Sequence, residues 1–363
     1  MRIAIDASKI ETEHKTGTEY YSWELITGIL DLSDESHEIL LYSRKPLPTE
    51  ILERHPRVLN RVVPGRFMWT LWHLPWAMRA DAPDVFYTPA SIVPPFGRPK
   101  KSFVVIHGLE YEAFPQAYSF FRFWHLATFT LLSAKWAYRV IVPSHSTKHD
   151  LVSEYNIDQD TVQVIHSGVP ARHEDGEIRS QVVDITNEQY LLWIGRKETR
   201  KNLELLISLF EAIQADYPEL KLVLAGKEGF GYSEIRTLIQ KSSASDRIIE
   251  LGFVSDAEKQ ELFDHATVFV FPSWYEGFGF PILEAMRAGV PVMASTQSSL
   301  PEIGGNAAVY AEPDDPTEWE RELRGILDNP ETRQALIKRG YDQWQKFSFD
   351  QTVEETLDCI TGP

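Results

Sequence analysis

Between Ala266 and Pro291 the chain spells a buried strand, a glycine-bearing turn and a short helix, and that order restricts the fold more than any other stretch. Ala266-Thr267-Val268-Phe269-Val270-Phe271 is rich in β-branched and aromatic side chains, the pattern of a parallel strand covered on both faces. Ser273-Trp274-Tyr275-Glu276-Gly277-Phe278-Gly279-Phe280 follows as the turn. Pro281 suits the first position of a helix, where its missing N–H costs nothing. Gly289 suits the position just past the helix end, with Pro291 beyond it. The N–H groups of Gly277 to Phe280 then lie at a helix start, and Gly277 and Gly279 carry no Cβ to hold a ligand off. Such a place cradles a phosphate or a sugar hydroxyl.

Two carboxylates bracket this turn. Glu276 lies just before the helix and Glu284 one turn inside it, so both can face one crevice. Each has an ordinary explanation as a partner of the helix dipole. The pair is harder to explain that way, because a diol-bearing ligand needs acceptors where its hydroxyls point.

The segment Glu276-Gly277-Phe278-Gly279-Phe280-Pro281-Ile282-Leu283-Glu284 resembles the E-x7-E element of the retaining, nucleotide-sugar-dependent glycosyltransferases of family 4, which have the GT-B fold. The resemblance implies that Glu276 and the Gly277-Phe278-Gly279 backbone, with Phe280 next to it, meet the donor sugar. It implies that Glu284 binds the ribose. The fold expected is α/β GT-B: two Rossmann-like, doubly wound parallel-sheet domains facing a central cleft.

Length and charge agree with two domains. At 363 residues the chain exceeds one ordinary core. The expected division is an acceptor-side domain over 1–170, a donor domain over 171–346, and a C-terminal helix, 347–363, packing back on the first. The single Cys359 allows no internal disulfide, and Met1-Arg2-Ile3-Ala4-Ile5-Asp6 is no signal peptide, so a cytoplasmic location is expected. The uncharged run Phe123–Ala134 is too short to span a bilayer. Of the net charge of −17, residues 1–170 carry −2 (17 Lys+Arg, 19 Asp+Glu) and the rest −15. The acidic second half argues against a nucleic acid polymer as partner.

In the first domain strands are expected at Arg2–Ser8, Glu38–Ser43, Val58–Val63, Asp84–Tyr87, Ser102–Ile106, Val140–Pro143 and Val162–His166, with helices over Glu19–Leu30, Phe120–Tyr138 and Ser146–Tyr155. This alternation implies a parallel sheet, whose ligands bind beyond the carboxyl ends of the strands. His107 directly follows such a strand. The turn Thr16-Gly17-Thr18 lacks G-x-G-x-x-G, which disfavours a dinucleotide oxidoreductase. In the resembled family a histidine at the matching strand end lies near donor sugar and acceptor, and a glycine in this first loop approaches the donor phosphates. These roles pass to His107 and Gly17. Ser144 and Thr147 read as helix caps.

Val164-Ile165-His166-Ser167-Gly168-Val169-Pro170 resembles the end of the family's first domain, with Ser167 where the family usually has Asn, and the polar stretch Ala171–Gln189 reads as a linker. Tyr190–Gly195 is a strand, followed by Arg196-Lys197-Glu198-Thr199-Arg200-Lys201-Asn202, with Asn202 able to cap the next helix. Four cations at a strand-to-helix junction attract a diphosphate, though a solvated basic loop fits equally well. The family's G-R-x-x-x-x-K-N pattern implies that Arg196 and Lys201 neutralise the phosphates, while Lys197 and Arg200 need take no part. Gly252-Phe253-Val254-Ser255 resembles the loop whose backbone meets the nucleobase, hence Val254 as a donor-binding residue. Further strands are expected at Leu220–Gly226, Arg247–Leu251, Val290–Ala294 and Ala307–Ala311. Asp314-Asp315 reads as a turn or cap and no metal motif is placed.

The resemblance implies transfer of a hexose from a nucleotide-diphosphate sugar to an acceptor hydroxyl with retention, in cell-surface polysaccharide or glycolipid assembly, without metal or cofactor. GDP-mannose is the leading donor and UDP-sugars follow. Glu276, His107, Arg196 and Lys201 are the expected catalytic set. A GT-B sugar phosphorylase, a nucleotide-sugar epimerase and a non-catalytic sugar-nucleotide-binding subunit are the alternatives. The acceptor is expected to be a saccharide or lipid-linked saccharide. Trp69, Trp72, Trp76, Phe120, Phe121, Phe123 and Trp124, with Arg98, Lys100, Lys101 and Arg122 nearby, form either core or a surface for peripheral contact with the inner face of a membrane.

Overall fold

The apolar runs become two parallel sheets. The structure, a computed structural model, describes residues 1–11, 17–34, 36–65, 68–89, 92–169 and 178–362. Two units separate by packing: residues Met1–Pro170 with Phe347–Pro363, and residues Ala171–Lys346.

In the first unit the strands are β1 (Arg2–Asp6), β2 (Glu38–Ser43), β3 (Leu59–Val62), β4 (Val85–Thr88), β5 (Lys101–Val105), β6 (Arg139–Val142) and β7 (Val162–Val164). They lie in the order β3-β2-β1-β4-β5-β6-β7, all parallel. In the second unit they are β8 (Tyr190–Ile194), β9 (Lys221–Ala225), β10 (Ile248–Leu251), β11 (Val268–Phe271), β12 (Val292–Ser295) and β13 (Ala308–Ala311), ordered β10-β9-β8-β11-β12-β13. All of these neighbours are parallel too.

Near-complete burial of Tyr190 to Trp193 and of Val268 to Phe271 explains why those runs are apolar throughout and do not alternate. Each sheet is doubly wound, and the strand order reverses between β1 and β4 and between β8 and β11. Ligands of such sheets gather at the carboxyl ends beside the reversal. In the second unit those ends carry Gly195–Lys201 after β8 and Pro272–Gly279 after β11.

The helix Phe349–Thr361 packs on the helix Gly17–Leu32 inside the first unit, where a Cβ added at Gly28 would stand 2.6 Å from Val353 Cγ2. Thr352 Oγ1 donates to the His166 carbonyl (2.8 Å) and Lys101 Nζ to that of Gly362 (2.9 Å).

Two local expectations are corrected. Residues 171–177 of the expected linker lie outside the described residues, but Ser180–Thr186 is a helix, because Val182 and Ile185, three apart within the polar stretch, are buried. Asn202 stands at the N-cap position but caps nothing: its backbone is left-handed (φ 55°) and its amide donates to the Pro313 carbonyl instead. Ser144 and Asp315 do cap their helices, accepting from the N–H groups of Thr147 and Glu318.

Candidate functional site

The glycine turn of the second unit is built rigidly. The helix Phe280–Arg287 starts one residue before Pro281, and Gly279, at φ 113°, makes the bend into it. Gly289, at φ 75°, lies just past its end. Ser298 Oγ accepts from the Glu276 N–H (2.8 Å) and donates to the Glu276 carbonyl (2.9 Å). Ser299 Oγ reaches the carbonyls of Glu276 (2.9 Å) and Phe278 (2.7 Å). The two serines fix the path of Glu276–Phe278 from the far side, and no sequence pattern announced them.

The basic junction folds against this turn and is no solvated loop. Lys201 Nζ donates to a Glu276 carboxylate oxygen and lies 5.1 Å from the centre of the Phe271 ring. Arg200 donates to the Tyr275 carbonyl (2.9 Å) and stands 3.5 Å from the Glu276 carboxylate. Burial, and then the Arg200 charge, press the Lys201 ammonium below the ordinary lysine value while Glu276 pulls it up. Burial pushes the Glu276 carboxyl up, but Lys201 and Arg200 outweigh it and hold it below the usual carboxylate range.

Arg200, set aside by the sequence reading, thus belongs to this cluster. Its position in the chain matched no motif, and only the fold brings it to Glu276. Lys197 does stay out, tied to Glu250 at 2.9 Å and almost wholly buried. Arg196 remains half-exposed, 3.7 Å from Glu198.

Glu284 lies in a separate pair, its carboxylate 2.7 Å from Lys259 Nζ. Lys259 was missed by the sequence reading, since it meets Glu284 only through the helix Asp256–His265. That helix opens with a capping box in which Ser255 and Glu258 each hold the other's backbone N–H. Val254, half-buried, immediately precedes the box.

In the first unit His107 follows β5. Its Nε2 lies 2.8 Å from the Pro89 carbonyl, and its ring meets Tyr21 edge-on at 4.7 Å. Burial lowers its pKa to about 4, so the imidazole is neutral at pH 7, with Nε2 carrying the proton and Nδ1 left as an acceptor. A cavity of about 390 Å³ opens beside it, lined by Thr18, Glu19, Arg122, Leu126 and Phe129 among others. Gly17 begins the helix Gly17–Leu32, and a Cβ there would meet no described protein atom within 4 Å. Packing does not require glycine at that place.

Residues 175–343 match the family model described as "Glycosyl transferases group 1", and residues 16–173 match "Glycosyltransferase Family 4". The chain belongs to the family-4 glycosyltransferases. Among similar proteins, the O-antigen chain mannosyltransferase B of Escherichia coli is 34% identical over 174 residues, 47% of this chain and 45% of that protein. The O-antigen chain mannosyltransferase RfbU of Salmonella typhimurium is 26% identical over 60% of this chain and 58% of its own. The chain thus spans about half the length of the curated relatives it matches. The crystal structure of Anabaena Alr3699/HepE with UDP and glucose superposes with a TM-score of 0.74 at 16% identity, covering 100% of both chains. That of WaaG, a glycosyltransferase involved in lipopolysaccharide biosynthesis, gives 0.73 at 16% identity, covering 99% of this chain and 100% of the other. The chain therefore has the GT-B fold.

Proposed function

We propose that the protein transfers a hexose, with mannose favoured, from a nucleotide-diphosphate sugar to an acceptor hydroxyl with retention. The observation that carries the reading is the junction of Arg200 and Lys201 with Glu276 at a glycine-bearing helix start, with Arg196 exposed beside them. A leaving diphosphate gains negative charge as the sugar departs, and preorganised cations and helix N–H groups stabilise it. These residues supply positive charge without calling on a metal.

The C1–O bond to the phosphate breaks and a C1–O bond to the acceptor forms on the same face. The acceptor's proton passes to the departing phosphate oxygen. Glu276 orients the sugar, the Gly277–Phe280 backbone holds it, and Glu284 binds the ribose. His107, beside its cavity, serves donor sugar and acceptor, and Gly17 serves the donor phosphates.

Several outcomes test this reading. GDP is expected to raise the melting temperature more than UDP or dTDP, and GDP-mannose to be turned over in the presence of EDTA. The product should keep the donor's anomeric configuration by NMR. A chain that binds none of the three diphosphates would overturn the proposal. The mannose preference rests on relatives named as mannosyltransferases; Alr3699/HepE was crystallised with UDP-glucose, which makes UDP-sugars the next donors to try.

The His107 pKa gives a pH test. The group is neutral at neutral pH and gains charge only as the pH falls through about 4. kcat/KM should therefore show no acid limb near pH 6.5 that depends on this residue. Loss of such a limb in His107→Gln would contradict the assignment.

A lipid-linked acceptor at a membrane surface suits the first unit. The helix Phe120–Trp136 exposes Phe120 (71%), Phe121 (85%) and Trp124 (54%) beside Arg122 and contains no acidic residue. Among the described residues no helix is long and apolar enough to cross a membrane. Vesicles containing anionic lipid should float the protein, and Phe120→Ser/Phe121→Ser should abolish flotation.

A further inference from the structure

We propose that Arg179 is a positioning residue for the nucleobase, acting through the loop Gly252–Ser255; this rests on the nucleotide-sugar reading above. Arg179 stands where the chain enters the second unit, one residue before the helix Ser180–Thr186. Its Nε and one terminal nitrogen grip the Glu258 carboxylate at 2.5 and 3.1 Å, and its backbone N–H reaches the same carboxylate at 3.2 Å. That terminal nitrogen also donates to the Phe253 carbonyl at 3.1 Å. Glu258 is 4% exposed and takes the Ser255 N–H at 2.9 Å. A fork of fixed geometry on a buried carboxylate is a rigid strut, and a lysine could not span both partners in the same way.

The loop's remaining polar groups locate what the strut is for. The Gly252 carbonyl is taken by the Gly226 N–H at 2.9 Å, the Phe253 carbonyl by Arg179, and the Ser255 N–H by Glu258. One face of the Phe253 ring is covered by the Lys227 ammonium, 4.5 Å from its centre. Among the described residues the N–H and C=O of Val254 have no partner. One donor and one acceptor on a single residue match the paired acceptor and N–H donor on the edge of guanine or uracil. Arg179 turns the preceding carbonyl away and so fixes the direction in which that pair points. Glu284 is held from the next residue, Lys259, so one helical turn sets both the base loop and the proposed ribose ligand.

The test compares Arg179→Met, Arg179→Lys and Glu258→Gln with the unaltered chain. The glutamine retains an oxygen for the Ser255 N–H and guards against a variant that fails to fold. Affinities for GDP or UDP, whichever binds tighter, and for ADP, whose base edge reverses donor and acceptor, are measured by calorimetry, with donor kinetics alongside. The unaltered chain should prefer one base, and Arg179→Met should lower that preference about tenfold, equal to the loss of one oriented hydrogen bond. Donor KM should rise with kcat unchanged, and Arg179→Lys should recover only part of the loss. Equal weakening of both nucleotides, no weakening, or an unaltered chain indifferent to the base would each overturn the proposal. If the unaltered chain binds neither nucleotide, the donor reading itself fails, which is a distinct result from intact binding that ignores Arg179.

Discussion

Glu276→Ala is expected to lower kcat for sugar transfer by at least about a hundredfold, the usual effect of removing one preorganised polar group from a transition-state site. The substitution does two things at once. It removes the carboxylate proposed to orient the donor sugar, and it strands Lys201, whereas Arg200 keeps Glu198 at 3.0 Å. Lys201 has a side chain only 8% exposed, and Arg200 lies 21% exposed beside it. Breaking a buried ion pair by deleting one partner costs about 3–5 kcal/mol, since the other charge remains desolvated.

The two effects separate in the double variant Lys201→Met/Glu276→Gln. Removing both charges should return most of the lost melting temperature, because no lone charge stays buried. Transfer should remain as low as in the worse single variant, because groups acting as a unit do not add. Near-normal transfer by Glu276→Gln would remove this carboxylate from the mechanism. A pH profile adds a further check. Lys201 is held below the ordinary lysine value, so donor capture should decline on the alkaline side well before pH 10.5. The sign follows from the charge: as the pH rises the ammonium is lost, and with it attraction for the diphosphate.

Gly226→Ala should be the most damaging single methyl group in the second unit. Gly226 directly follows β9 at φ 135°, and a Cβ there would lie 1.8 Å from the Gly195 carbonyl oxygen and 2.8 Å from its carbon. Both atoms are backbone, so no rotamer change relieves the overlap. Strain of the left-handed region and overpacking together should cost about 3 kcal/mol or more. The strand ends would have to part, and Gly195 leads directly into Arg196–Lys201. The lowest-melting transition should fall by roughly 6 °C or more, with nucleotide binding lost in parallel. Gly325→Ala is the control. It lies in the helix Pro316–Asp328, and outside its own helix no described atom lies within 4 Å of the added Cβ, so it should stabilise by about 0.5–1 kcal/mol. A soluble Gly226→Ala protein with unaltered melting would refute the close approach.

The strands were legible because burial on both faces leaves a local mark. Tyr190–Ile194 and Val268–Phe271 are apolar without interruption, and the glycines at 277 and 279 with Pro281 mark the turn between strand and helix. Partners chosen across long sequence distances left no such mark. Arg200 meets Glu276, Lys259 meets Glu284, and Arg179 meets Glu258 only in the folded chain, across 76, 25 and 79 residues of sequence. The helix Ser180–Thr186 was hidden for another reason: just two buried side chains, Val182 and Ile185, hold it down. Asn202 misled because a residue type suited to capping was used to tie the chain to Pro313.

The helix Phe349–Thr361 has a consequence for biosynthesis. The first unit presents an uncovered surface around Gly28 until residues 347–362 have left the ribosome, whereas the second unit is drawn from one continuous stretch and can close as soon as that stretch emerges. The unit begun before the other is therefore finished after it, and for about two hundred residues of synthesis, at the tens of seconds that elongation takes, it waits for the helix that covers it.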